Sequence, residues 1–431
     1  MRKKHELAAE LIIALLLFIL VNAVSQALQR PISHNNGQGW DGKEYFSVAE
    51  QFSRHQKPVA KAPYVFRIGT PLLVSVFFKN DLFLGFKLIN ISGNLFAVIL
   101  FVIWLRLYLN RRKTRILLTT FFVLMWHGPI RFVYYYPCFT DPWLFTFLLA
   151  GLIGINRIQA RPVVARKLFL AVTAILGVVF REIALIIPVS FLVATNPVRQ
   201  YRDFFSWALC KGVFRSAFRP PVMILIGCVF TFLLIKFAVS QNNSYSFIKT
   251  AVNWAYDKPL LTYLHAWFIA FGPVIVAAIY HWRGSLNFLI QNQFMLVYVL
   301  CFAVLGWIGG TDTERILFWG MPVVYLLIGK AMEDNRVLVQ SLPVIVVMVV
   351  AQCISMRIFW MIPDYPTYSD TLFPILTIPG SSGQYLDLYS YHGNRIIQAI
   401  SFSEYVMLSL ALFAWLRFRA KKIESGKTGG Q

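Results

Sequence analysis

The stretch LAAELIIALLLFILVNAVSQAL, residues Leu7–Leu28, decides the class of fold. A helix rises 1.5 Å per residue, so a run of about 20 apolar residues matches the hydrocarbon thickness of a bilayer. The run follows Met1-Arg2-Lys3-Lys4, which suits a secretory signal. It is long, however, and no small-residue cleavage site follows it, so it is read as an uncleaved first membrane helix. Across its 431 residues the chain is 58% hydrophobic and only 14% charged, with mean hydropathy +0.60. No soluble domain of that length needs so much apolar surface. The expected fold is all-α, a polytopic transmembrane helical bundle.

Further apolar runs predict about twelve spanning helices (10–13). They lie near 7–28, 82–108, 116–130, 143–157, 168–180, 183–196, 220–240, 262–282, 294–310, 316–331, 341–363 and 399–417. Residues 1–417 form one transmembrane domain, and 418–431 form a basic cytoplasmic tail. Lys and Arg concentrate in alternate connections, which places both termini in the cytoplasm. Two external loops are long, 29–80 and 363–398. In the first, Tyr45, Phe46, Val48, Ala49 and Phe52 recur near helical spacing, as in a short helix lying in the interface.

The net charge of +22 raises the question of nucleic acid. Lys and Arg sit between apolar runs, where they set topology and meet anionic headgroups, so membrane lipids are the expected partners and nucleic acid is not. The five cysteines include no CxxC pair, and no metal or other cofactor is indicated. His265 and His392 are isolated external histidines and read as structural.

Carboxylates and arginines from distant parts of the chain fall on the external side. Gly39-Trp40-Asp41-Gly42-Lys43-Glu44-Tyr45 puts Asp41 and Glu44 in the first loop, with Arg67 further on. Arg131 and Asp141 flank Tyr134-Tyr135-Tyr136-Pro137-Cys138-Phe139-Thr140, and Arg181-Glu182 interrupts the next apolar stretch. Gly309-Gly310-Thr311-Asp312-Thr313-Glu314-Arg315 adds three more charges. Such a convergence suits a phosphate-bearing lipid and a hydroxyl nucleophile. Arginine clamps phosphate bidentately, and a carboxylate can take the hydroxyl proton. Structural readings stand beside this one. Asp41 can cap the following helix, and Asp141 can cap its own with Pro142 at the first turn. Arg181 and Glu182 can form a buried ion pair, and Arg315 can snorkel to headgroups.

The pattern Trp40-Asp41-Gly42-x-x-Tyr45-Phe46-x-x-Ala49 resembles the first-loop aspartate motif of the GT-C superfamily of polytopic glycosyltransferases. It is most similar to GPI mannosyltransferases of the second-mannose type and their bacterial relatives. Thr140-Asp141, Arg181-Glu182 and Thr311-Asp312-x-Glu314-Arg315, the last followed by Pro322, resemble further recurrent positions. Many members carry two adjacent acids in the first loop, whereas Gly42 follows Asp41 here. The resemblance implies a polyprenyl-phosphate-linked sugar donor, a lipid or glycan acceptor, and inverting transfer on the extracytoplasmic face of an inner membrane. It implies Asp41 as general base, and the converging charges Glu44, Arg67, Arg131, Asp141, Arg181, Glu182, Asp312, Glu314 and Arg315 are the substrate-binding candidates. The rivals are a transporter or flippase of a lipid-linked or anionic substrate, a polysaccharide polymerase or ligase, and a non-catalytic scaffold of an envelope assembly.

Overall fold

The structure, a computed structural model, describes residues 2–125, 128–195, 220–335, 342–355, 362 and 395–428. The basic segment 197–219, most of the loop 363–398 and the end of the span 341–363 lie outside the described residues. What is described is an all-α polytopic bundle with one two-residue strand pair.

Helix α1 (Arg2–Leu28) opens the chain, and α2 (Gly42–Ser53), strand β1 (Val59–Ala60) and α3 (Gly69–Phe77) lie in the long first loop. Then follow α4 (Leu82–Tyr108), α5 (Arg112–Leu124), α6 (Pro129–Tyr135), α7 (Asp141–Ala160), α8 (Val164–Phe180) and α9 (Ile186–Thr195). Next come α10 (Pro220–Ala238), strand β2 (Ser240–Gln241), α11 (Phe247–Asp257), α12 (Leu260–Phe271) and α13 (Val276–Tyr280). The remainder is α14 (Trp282–Gln291), α15 (Gln293–Ile308), α16 (Thr313–Phe318), α17 (Met321–Asp334), α18 (Leu342–Ser355) and α19 (Arg395–Thr428).

Among the described residues, four helices are long and apolar enough to cross a membrane unbroken, His5–Leu28, Leu82–Tyr108, Asp141–Ala160 and Pro220–Ala238, and a fifth candidate span, Arg112–Tyr135, is divided between α5 and α6. Two further pairs reach that length only if each bent pair is one span. Helix α12 turns by 95° into Pro273–Tyr280, and α14 turns by 114° into α15. The expected run 316–331 is divided into α16 and α17. Apolar composition registers membrane depth but not a bend, so the twelve expected windows contain both straight and broken helices.

Close packing follows from small residues and amide side chains on α4. A Cβ on Gly93 would sit 3.0 Å from the Trp143 ring on α7, and Thr146 donates to the Gly93 carbonyl at 2.7 Å. Asn90 donates to the carbonyls of Pro137 and Phe139 at 2.9 Å each, and Asn94 to that of Pro129 at 2.9 Å. These bonds satisfy backbone groups that neither lipid nor helix would serve. Trp104 of α4 donates to the Pro322 carbonyl at 2.8 Å, which brings α17 into the centre. Phe101, Phe122, Phe145, Phe271, Phe318 and Tyr325 fill the space between as an aromatic core. Leu16 and Leu20 on α1, and Ile226, Phe230 and Phe237 on α10, point outward and form the lipid-facing surface.

At the end of the bundle away from the first loop, Glu10 of α1 is buried between two arginines. Arg106 of α4 lies 3.0 Å away, and Arg115 of α5 holds both of its oxygens, with Nε at 3.1 Å. At the other end the first loop is stitched to the far side of the bundle. Strand β1 pairs in parallel with β2, and Asn243 exchanges two bonds with the Ala62 backbone, at 2.7 and 3.1 Å.

Candidate functional site

Seven charged side chains meet on one face of the bundle, each from a helix end or a loop. Asp41 stands immediately before α2. The helix needs a cap there, yet the Asp41 side chain makes no capping bond; only its carbonyl serves the helix, accepting from Glu44 and Tyr45. The carboxylate turns toward α16 instead, with Oδ2 at 3.9 Å from Arg315 Nη2. Gly42 makes this approach tight. Its N–H donates to the Tyr136 hydroxyl at 2.5 Å, and a Cβ there would lie 2.6 Å from the Cys138 carbonyl oxygen and 2.7 Å from the Tyr136 ring. A side chain at position 42 has no room in this loop.

Arg315 is shared among three acids. Its Nη2 lies 2.8 Å from Asp312 Oδ2, and its Nε lies 3.5 Å from Asp141 Oδ2. Asp141 is the first residue of α7, after the N-cap Thr140, whose side chain makes no capping bond. It pairs directly with Arg181 and accepts from Trp319 Nε1 at 3.3 Å. The Arg181 guanidinium lies 4.4 Å over the Trp319 ring. Arg67 is bound from every side: Nε and Nη2 grip Glu182, the latter at 2.6 Å, while Nη1 donates to the Tyr45 hydroxyl at 2.9 Å. The expected Arg181–Glu182 pair is thus not formed. The two neighbours diverge where the extended Arg181 meets the turn Glu182–Leu185, Arg181 toward α7 and Glu182 toward the first loop.

Burial pushes the Asp41 carboxyl above the ordinary carboxylate range. Arg315 opposes this and Asp312 adds to it. Burial also works against the charge on Arg315, but Asp312, Asp141 and Asp41 outweigh it and hold the guanidinium cationic. The pairing is uneven. Asp141, Glu182 and Asp312 each have an arginine in close contact, whereas Asp41, the fourth acid, has Arg315 at the longest distance of the set. About a quarter of the Asp41 side chain is solvent-accessible, against 4% for Asp141.

The remaining candidates are placed differently. Glu44 turns to the loop, where it accepts from the Lys61 N–H at 3.1 Å. Arg131 lies on α6 and donates to the Leu124 carbonyl at 3.4 Å, a contact of the helix connection and not of the ionic network. Glu314 is fully buried behind Arg315, and its charge, with that of Asp312, acts on Lys258. Burial pulls the Lys258 ammonium down to about 8 against those two acids. Sequence reasoning does not single out Tyr45, Trp319, Lys258 or Tyr64, whose hydroxyl donates to the Asp41 carboxylate. Tyr45 was in the quoted motif, but its spacing marked it as apolar helix face and gave no sign of its bond to Arg67. Among the described residues no group of His, Cys, Asp and Glu is arranged to hold a metal ion.

No protein-family model matches the chain, and no curated protein does. Among solved structures it is similar to the crystal structure of the Archaeoglobus fulgidus oligosaccharyltransferase in the apo form, with a TM-score of 0.47 and 11% identity. The match covers 94% of this chain and 56% of that one, so the chain spans little more than half the length of that protein. A likeness of this size carries no argument about activity.

Proposed function

We propose that this chain is a membrane glycosyltransferase of GT-C type, moving a sugar from a polyprenyl-phosphate donor to a lipid or glycan acceptor at the extracytoplasmic face of an inner membrane. The observation that carries this reading is the leftover carboxylate. Three guanidiniums are matched by three closely held acids, and Asp41 is the fourth, about a quarter exposed and released from capping. A base must reach its proton and must not be neutralised by a tight ion pair.

In the reaction, Asp41 takes the proton of the acceptor hydroxyl. That oxygen attacks the anomeric carbon from the side opposite the phosphate, so the configuration inverts. The bond from the anomeric carbon to the phosphate oxygen breaks, and its electron pair leaves with the lipid phosphate. Arg315 is the arginine suited to that developing charge. It is more open than Arg67 or Arg181 and is distributed over three acids at 2.8, 3.5 and 3.9 Å, so a phosphate can draw it away. Arg67 is saturated by Glu182 and Tyr45, and Arg181 is held by its pair with Asp141 and by the Trp319 ring, with its Nε left unbonded, so both act as framework. Asp141 and Asp312 set the position of Arg315. No divalent metal is part of this reading.

A transporter would carry its charges at the bilayer midplane on broken helices. The two bent helix pairs are features of that sort, but every member of the ionic network sits at a helix end or in a loop. The test is transfer from a panel of radiolabelled polyprenyl-phosphate sugars into membrane extracts, wild type against Asp41→Asn. Asn is nearly isosteric and no capping bond is lost, so folding should survive while transfer falls by about 10²–10⁴. Full activity in Asp41→Asn removes Asp41 from the mechanism and the main support for the reading.

A further inference from the structure

Lys258, between α11 and α12, is 97% buried and lies outside the ionic network just described. Its ammonium has three protons to donate, and all three find acceptors: the carbonyls of Gly306 at 2.6 Å and Gly310 at 2.7 Å, and the Thr313 hydroxyl at 2.7 Å. A buried ammonium this fully bonded is a specific arrangement, because an unpaired one is costly.

The three acceptors bracket one joint. Gly306 is in the last turn of α15, whose closing carbonyls lack partners within the helix and face the negative end of its dipole. Thr313 is the first residue of α16. Between them lie Gly309 and Gly310, the latter at φ +129°, a conformation that side-chain-bearing residues rarely adopt, and with nothing within 4 Å of where a Cβ would be. Packing against Gly310 therefore does not hold the joint. Leu317 packs on Gly306 and Ile316 on Gly309, and across the unpacked Gly310 it is the ammonium that ties the two sides together, on a firm support. Trp307 donates to the Ala255 carbonyl at 3.2 Å and Tyr263 to that of Ala303 at 2.9 Å, fixing the α11–α12 corner to α15. Asp312 and Arg315 project from the far side of the same joint.

We infer that Lys258 is a positioning residue: it clamps the Gly306–Thr313 joint and so sets where Arg315 meets Asp41. The link to catalysis rests on the glycosyltransferase reading, whereas the clamp itself does not. It touches neither acid nor arginine of the site and acts through the backbone and Thr313. With the clamp gone, α16 shifts about the glycine pair, Arg315 draws off, and Asp41 loses the cation that favours its ionised form.

The test uses the full-length chain in detergent micelles. Carbodiimide modification of Asp41, read by peptide mass spectrometry at fixed pH, reports the protonated carboxyl and needs no substrate. Lys258→Met and Thr313→Val are each expected to raise the labelling rate severalfold, up to about tenfold for one unit of pKa. Thr313→Ser keeps the hydroxyl and is expected to match wild type. The Thr313 variants keep the test decisive if Lys258→Met fails to fold. In the donor assay, kcat should fall by about 10–100-fold with donor KM within about threefold, since a displacement of about 1 Å in a catalytic group costs that much. Unchanged labelling in the Met and Val variants overturns the clamp. Raised labelling with unchanged kcat overturns its role in positioning. A wild-type chain that transfers no sugar, with labelling changed as expected, counts against the glycosyltransferase reading and leaves the clamp standing.

Discussion

Gly42→Ala adds one methyl group next to Asp41 and leaves every charge in place. Its Cβ would lie 2.6 Å from the Cys138 carbonyl oxygen, 2.7 Å from the Tyr136 ring and 2.8 Å from the Cys138 Cβ, where ordinary contact begins near 3.4 Å. Something must give by about 0.8 Å, the difference of those two distances. Neither neighbour yields cheaply, since Cys138 and Tyr136 are both buried in the aromatic cluster under α2. Overpacking of this kind costs about 1–3 kcal/mol. The start of α2 is the element free to move, and Asp41 moves with it, away from an Arg315 already at 3.9 Å. A shift of that order in a catalytic group lowers the rate by up to about 10²-fold. The assay pairs initial rates at saturating donor with thermal melting in micelles. Gly227→Ala on α10 is the control: its nearest atom would be Ile175 Cδ1 at 3.5 Å, and alanine favours the helix by about 1 kcal/mol, so rate should hold and melting should not fall. Gly42→Ala with wild-type rate and melting would refute the tight seating of Asp41.

Two further expectations follow from the same geometry. Burial raises the Asp41 pKa, and a base works only when ionised, so kcat/KM should be lost as pH falls through a value above the ordinary aspartate figure of about 3.9; an acid limb at or below that figure contradicts the assignment. Glu182→Gln should lower stability by about 1.5–3 kcal/mol, because Arg67 places Nε and Nη2 on that carboxylate and a neutral amide cannot match it; unchanged melting in micelles would count against the framework role of the pair.

The spans were legible because apolar length is a one-dimensional property, and four windows reappear as single unbroken helices. The bends after Phe271 and Gln291 were not, because composition is the same on both sides of them. The charged residues were legible as a set: helix ends at one depth were expected to share a face, and Asp41, Asp141 and Arg315 do meet. Partner choice was not. Arg67 and Glu182 are 115 positions apart, and nothing local favours that pair over the adjacent Arg181. Lys258 was invisible for the opposite reason: its partners are two carbonyls and a hydroxyl, which carry no charge signature in a sequence.

The staple between Glu10 and Arg115 also bears on how the chain is made. α1 is synthesised first, and its carboxylate enters the bilayer before either guanidinium exists. Arg115 comes 105 residues later, which at about 5–20 residues per second is roughly 5–20 s of translation. Through that interval α1 carries an uncompensated acid near its N-terminal end, a burden smaller than the cost of about 3 kcal/mol for a charge at a helix centre. Its insertion is provisional until α4 and α5 arrive. A nascent chain released before Arg115 therefore offers quality control a first helix with an unmet charge, and one released after it does not.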